Sequence, residues 1–367
     1  MIIKTLNIQR FRNIFQVSLE LSPSFNVFYG HNGSGKTSLL EAIFYLGLAK
    51  SFRSSNACRV INNEAESCLI RAELQTEVRL IPLGIERNRQ GQRFLRKDGE
   101  NVPSVFALAQ ELALQLITAD SHVLFTEGPK LRRQFFDWGL FHVEPQFYPL
   151  WQQLQKVLKQ RNAALKAKLS ANEIKIWDSE LVRLASAIDI LRKEHLKQLY
   201  PIALNLFHTL LPELELEIRY ERGWAEDEDL LNLLSQNFYR DFHIGYTQLG
   251  PQRADLLFLT HNTPLQEHLS QGQLKLAAYA LHLAQGKMLQ TVAQKSPIYL
   301  IDDIPSELDP RKRYLVLQVL TELQAQSFLT GINPEDLLEI SHLSHSKMFH
   351  VEQGRINSIN SELKLEA

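Results

Sequence analysis

The stretch "YGHNGSGKTSLL", residues 29–40, constrains this chain more than any other. It spaces Gly30, four residues, Gly35, Lys36 and Thr37 between the apolar "FNVFY" and the helix-like "SLLEAIFYLGLA". The order is strand, loop, helix. Glycines let such a loop turn successive backbone N–H groups inward, so that a polyphosphate is held by amides and by the positive end of the helix. Gly30, His31, Asn32, Gly33, Ser34 and Gly35 form the cradle. Lys36 adds a formal charge with the reach of the β- and γ-phosphates, and the Thr37 hydroxyl is placed to ligate Mg2+.

A second element belongs with the first. "SPIYLIDDIPSELDP" carries an apolar run, Ile298 to Ile301, ending in Asp302 and Asp303. This reads as a buried strand with paired carboxylates at its carboxyl end, where open α/β sheets bind ligands. Asp302 is then placed to hold Mg2+ beside Thr37, and Asp303 to orient or deprotonate an attacking water. Upstream, "HLSQGQLKLAAYALHLAQG" offers Ser270 as a helix cap. Ser270-Gln271-Gly272-Gln273 also combines a hydroxyl, a glycine and a helix N-terminus, the parts of a second phosphate-binding surface. A second anion-binding end in one chain suggests use in trans, against the nucleotide held by another copy.

Composition narrows the class. The 367 residues allow about two or three domains. Net charge is -1 with mixed signs, so any nucleic-acid surface is local. Cys58 and Cys68 are the only cysteines, too few for a disulfide framework or a zinc cluster. The N-terminus "MIIKTLNIQRFRN" lacks the apolar core of a signal peptide, and no later stretch has membrane-spanning length and apolarity. The expectation is a cytoplasmic protein with no membrane partner.

Along the chain, residues 1–127 read as strands around the phosphate loop and its helix, with an Asp98-Gly99 hairpin turn in "RKDGENV". Residues 129–210 are helical. Ile174, Trp177, Leu181, Leu184, Ile188 and Leu191 recur at steps of three and four, as do Leu150, Leu154 and Val157, across a break near "SANEIK". Two such helices pair as a short antiparallel hairpin. "AEDEDLL" reads as a solvated helix start.

Gly30 to Thr37, "LSQGQ" and "IDDIPSELD", in that order, resemble the Walker A, signature and Walker B/D-loop elements of ABC-type ATPases. Together with "LNIQRFRNI", "AKSFRSS", "EGPKLRRQFFDWGLFHVEP", "LKQRNAAL" and "GPQRADLL", they are similar to the RecF family of DNA replication and repair proteins, relatives of the SMC ATPases. The resemblance runs nearly end to end. It implies an α/β fold, an ABC-type ATPase head (P-loop NTPase) with a helical second lobe carrying the hairpin. The ATPase lobe would take residues 1–127 and 246–367, and the helical lobe residues 128–245. It further implies ATP with Mg2+, weak DNA-stimulated hydrolysis, and a homodimer formed on ATP. DNA, double-stranded and gapped or junction, would be bound without sequence preference, and the RecO and RecR mediators would be partners in loading RecA recombinase. On that pattern Arg12, Asn13 and Asn32 contact the nucleotide, Ser270 and Gly272 meet the partner copy's γ-phosphate, Asp309 lies in the dimer interface, and Gln115 is a Q-loop residue.

Departures carry expectations too. Asp303 stands where most ABC ATPases have glutamate, and Thr330 and Gly331 where transporters carry a switch histidine, which implies slow hydrolysis. The commoner family pattern has His and Asp where this chain has Gln252 and Ala254. Three basic patches compete for DNA: Lys50 and Arg53, "ERNRQGQRFLRK", and Lys156, Lys159, Arg161, Lys166 and Lys168 on one helix. Arg53, just after the phosphate-loop helix, is the leading candidate, where SMC-like heads carry a DNA-contacting arginine loop. A transporter ATPase subunit and an ATP-binding clamp without hydrolysis are the alternatives.

Overall fold

The structure, a computed structural model, describes residues 1–337, 340 and 345–359. In chain order its strands are β1 (Ile2–Phe11), β2 (Ile14–Glu20), β3 (Phe25–Tyr29), β4 (Ser67–Gln75), β5 (Leu80–Asn88), β6 (Arg93–Lys97), β7 (Glu100–Asn101) and β8 (Leu114–Ile117). They continue with β9 (Glu217–Glu221), β10 (Asp255–Thr260), β11 (Thr263–Pro264), β12 (Ile298–Ile301), β13 (Gln326–Gly331), β14 (Ser346–Glu352) and β15 (Arg355–Ile359). The helices used below are α1 (Lys36–Leu48), α2 (Pro129–Val143), α3 (Phe147–Lys166), α4 (Asp178–Leu210), α5 (Gln271–Ala293) and α6 (Pro310–Glu322).

Two compact units divide the chain, residues 1–121 with 289 onward, and residues 122–288. This differs from the sequence expectation for 246–288, which pairs with the helical segment and not with the phosphate-loop sheet. The reason is local: β10 pairs antiparallel with β9, Leu256 opposite Tyr220, and Asp255 is bound by Arg132 of α2. Residues 360–367, the end of the expected ATPase lobe, lie outside the described residues.

The first unit holds two sheets. One runs β2-β1-β4-β5-β6-β7 with antiparallel pairing throughout. In β4, "SCLIRAELQ", alternate side chains are buried, the signature of a sheet with one covered face. Asp98 and Gly99 both take positive φ, 56° and 82°, between β6 and β7, as the hairpin turn requires. The other sheet is ordered β15-β14-β3-β13-β12-β8, parallel from β14 to β8. Its inner strands β12 and β13 are buried at every residue, as parallel strands covered on both faces must be. Phe28 stacks on Phe349 at 4.8 Å and lies near Phe328 at 6.4 Å, joining β14, β3 and β13. Each such buried ring contributes about 1.5–3 kcal/mol. Gln326 ties the two sheets, its side chain bonding Ile3 N, Ile3 O and Ser22 O.

In the second unit, α3 and α4 form the expected antiparallel pair, with Leu154, Val157 and Leu158 against Leu181, Leu184 and Ile188. The break near residue 170 is a capping box between Ser170 and Glu173, and Asp229 in "AEDEDLL" caps a short helix through Asn232 N. Between the hairpin helices sits Arg161, fully buried, bonded to Asp178, Asp241 and Thr247 at 2.8 Å each. It therefore leaves the basic patch assigned to this helix. Its guanidinium cancels two buried carboxylates, and removing it would strand both.

The segment "GPQRADLL" also finds its role here. Arg192 of α4 donates to Pro251 O and pairs with Asp137 of α2, Arg133 donates to Ala254 O, and Arg132 clamps Asp255. Three arginines thus hold this loop through its backbone and Asp255, and none of the bonds uses the side chains of Gln252 or Ala254. No helix among the described residues is long and apolar enough to cross a membrane.

Candidate nucleotide site

The phosphate loop leaves β3 at Gly30 and enters α1 at Lys36. Gly30 has φ 150°, and a Cβ there would sit 2.2 Å from Val351 O, so only glycine lets β14 approach. Gly35, at φ 123°, precedes a helix with no side-chain cap and no acidic residue in its first turn. The first amides of α1 are therefore left to an anion. His31, Asn32 and Gly33 are exposed at the loop's crest.

Lys36 folds back into this loop, Nζ donating to Gly30 O at 2.6 Å and His31 O at 3.1 Å. Burial pushes its pKa down, opposed by the negative fields of Asp303 and Asp302, which face it. Thr37 Oγ1 donates to Asp302 Oδ2 at 2.9 Å. The sequence expected these residues together, and the sheet brings them there: Asp302 follows the last residue of β12, and its N–H donates to Ile117 O at the end of β8.

The sequence read Thr330 only as standing in place of a switch histidine, and its hold on the two aspartates went unread. Thr330, fully buried in β13, donates from Oγ1 to Asp302 Oδ1 at 2.6 Å and accepts from Asp303 N at 2.7 Å. It fixes both aspartates. The available signal was a lone hydroxyl at the end of the apolar run "SFLTG". Asp303 itself takes the left-handed conformation, φ 52°, and its Oδ1 is buried without a hydrogen-bond partner. That oxygen is left as an open acceptor.

These groups fit a Mg2+ bound with a triphosphate. Mg2+ is commonly held by one or two carboxylates, waters and substrate phosphates, not by an all-protein cage. Thr37 and Asp302 supply hard oxygens of that kind, and among the described residues no cluster of three His, Cys, Asp or Glu stands ready for a metal.

Arg12 commits its fork to Glu41, Nε to Oε2 at 2.9 Å and Nη2 to Oε1 at 2.6 Å. Asn13 does reach the phosphate loop, donating to Gly33 O and Ser34 O at 3.3 and 3.2 Å. Gln115 is buried within β8, opposite Tyr299, rather than in a loop. Asp309 caps α6, accepting from Lys312 N. Ser270 caps α5 in a capping box with Gln273, and around Gly272 there is open space. Both belong to the second unit, the phosphate loop to the first. Lys50 is exposed, and Arg53, 46% exposed, stands 3.6 Å from Glu41. In the hairpin patch Arg89 is spent on the carbonyls of Asn62, Asn63 and Ala65, and Lys97 on Glu111.

Residues 2–357 match the model of the RecF/RecN/SMC N terminal domain. The DNA replication and repair protein RecF of Shewanella frigidimarina (strain NCIMB 400) is 44% identical over 359 residues, 98% of this chain and 100% of that protein. This chain belongs to the RecF family. Among solved structures, the recombination mediator protein RecF with ATP, of the RecFOR pathway, superposes with a TM-score of 0.87 at 24% identity, covering 98% of this chain and 97% of that one. An SMC head bound to the C-winged helix domain of ScpA superposes at 0.62 with 16% identity, covering 99% and 98%. The RecF fold is thus that of the SMC heads, an ABC-type ATPase, as the order of motifs implied.

Proposed function

We propose that this RecF-family chain is an ATP-dependent DNA clamp of recombinational repair and replication restart. The observation that carries the reading is the cluster Lys36, Thr37, Asp302, Thr330 and Asp303, gathered at the carboxyl ends of parallel strands in a chain whose relatives are named for DNA replication and repair. ATP would bind the loop with Mg2+ held by Thr37 and Asp302, and the open amides of α1 would take the phosphates. Lys36 neutralises charge on the β- and γ-phosphates. Asp303 receives a proton from the attacking water. Its side chain is one methylene shorter than glutamate and no imidazole stands at Thr330 or Gly331, so turnover is slow, a timer more than a motor.

Closure is in trans. Ser270 and Gly272 of one copy meet the γ-phosphate held by the other, and two copies join on ATP. Lys50 and Arg53 touch the DNA backbone, double-stranded and gapped or junction, which gives affinity without sequence preference and makes it salt-sensitive. RecO and RecR are the partners in loading recombinase. Sedimentation with ATP and Mg2+, with and without duplex DNA, tests the reading as a whole. A dimer that forms only with ATP and is favoured by duplex is expected; a chain that stays monomeric at high concentration with a non-cleavable analogue and DNA would overturn it.

A further inference from the structure

Glu41 is an outlier in its helix. Buried completely in α1, it lies among Leu39, Leu40, Ala42 and Ile43, all fully buried themselves. A carboxylate is tolerated there only with cations and donors around it. Arg12 supplies two bonds, Ser51 Oγ a third, and Arg53 Nη1 stands at 3.6 Å, a charge contact without hydrogen-bond geometry.

Both neighbours are themselves fixed, each toward a different working part. Arg12 has φ 51° in the turn between β1 and β2, a region few non-glycine residues occupy. Its N–H donates to Val60 O at 2.8 Å and its carbonyl accepts from Asn62 at 2.7 Å, so the turn is over-determined. The next residue, Asn13, holds the carbonyls of Gly33 and Ser34, inside the phosphate loop. On the other side, the Ser51 hydroxyl that donates to Glu41 accepts from Arg53 N at 3.0 Å and Ser54 N at 2.9 Å, and so sets the backbone of the basic segment.

We propose that Glu41 is a positioning residue that relays the state of the phosphate loop to the basic segment 50–54, along Asn13, Arg12, Glu41, Ser51 and Arg53. A triphosphate seated on the loop's amides acts on the backbone that Asn13 grips. The rigid turn passes this to the Arg12–Glu41 fork, and Ser51 passes it to the segment. Arg53 is the loosest member, its side chain 46% exposed and held by charge alone, so it can exchange Glu41 for a DNA phosphate without unbuilding the rest. The relay rests on the proposed nucleotide site, and its DNA arm rests on the proposed DNA contact as well.

Hydrogen exchange of residues 51–56, with and without a non-cleavable ATP analogue and Mg2+, tests the relay directly. Fluorescence anisotropy with a labelled duplex tests the DNA arm. In the wild type, nucleotide is expected to slow exchange in 51–56 and to raise duplex affinity by about tenfold. Glu41→Gln keeps the shape and one acceptor. It is expected to retain nucleotide affinity while losing both responses, and Ser51→Ala, at a half-buried position, to lose them in part. Should Glu41→Gln fail to fold, Ser51→Ala decides. A variant whose 51–56 exchange still follows nucleotide as in the wild type overturns the relay, as does a Glu41→Gln protein whose nucleotide affinity falls as far as its DNA response. Arg53→Glu separates the two claims: unchanged duplex affinity sinks the DNA assignment of Arg53, while the exchange experiment still judges the relay.

Discussion

Thr37 Oγ1 lies 2.9 Å from Asp302 Oδ2, across 265 residues of chain and one intervening strand, β13. A hydroxyl and a carboxylate in contact at the foot of a phosphate loop would together hold a Mg2+ that arrives with the nucleotide. Asp302→Asn is therefore expected to lower Mg2+-dependent ATP affinity by about 10–100-fold. Affinity measured in EDTA should stay unchanged. Titration of a fluorescent ATP analogue with and without Mg2+ checks this, and equal losses in both would refute the metal assignment.

Asp303 and its supporting Thr330 make a separate expectation. Asp303→Asn tolerates the left-handed backbone, because asparagine adopts it readily. Single-turnover hydrolysis is expected to fall by about 10²–10⁴-fold with ATP binding intact. Thr330→Val keeps the shape and removes the hydroxyl, leaving Asp303 N without its acceptor, at a cost of about 1–3 kcal/mol in stability. Its hydrolysis should fall too, and a Thr330→Val enzyme with full turnover would show that the aspartates need no such brace.

Ser270 has two roles to separate, since it caps α5 through Gln273. Ser270→Ala removes the cap and should cost about 1 kcal/mol. Ser270→Asn restores a cap but not the hydroxyl. Both are expected to bind ATP as monomers and to fail to dimerise on it, as read by light scattering. If the asparagine variant dimerises normally, the serine is a cap and nothing more.

Acid sensitivity should arise in the helical unit. Burial lowers the pKa of His195 from 6.5 to about 4, and that of His282 likewise to about 4. Both stay neutral when folded and gain a proton on unfolding, so the unfolded state binds more protons between pH 4 and 6.5. Stability is then full above the upper limit and declines as pH falls through this window, by about 1.4 kcal/mol per pH unit for each histidine. Urea midpoints at pH 7 and pH 5 measure the slope. His195→Gln is expected to remove about half of this contribution, and an unaltered slope would place the acid-sensitive groups elsewhere.

Much of this was legible because it is local or periodic. The loop from Gly30 to Thr37 announces itself by spacing, the apolar run before Asp302 by composition, and the hairpin by the steps from Ile174 to Leu191. What the sequence hid depends on contacts between distant segments. Arg161 reads as one cation among lysines, and only the burial of Asp178 and Asp241 beside it turns it inward. The family resemblance assigns Arg12 to the nucleotide, and nothing local announces the carboxylate in α1 that binds its fork. The fate of 246–288 turned on a strand pairing with β9 that no local pattern reveals. Glu41 and Thr330 left the same faint trace, a polar residue where the surrounding pattern is apolar.

The strand that carries the phosphate loop is flanked by β13 and β14, so both of its partners are made by the ribosome some 300 residues later. Until they emerge, β3 has two bare edges of unpaired N–H and C=O groups, and Gln326 has yet to fasten Ile3. A growing polypeptide of this design completes the sheet beneath its phosphate loop only when synthesis is nearly finished. Its earliest segment waits as an adhesive strand, and a message cut short before β13 yields a product whose phosphate-loop strand has neither partner.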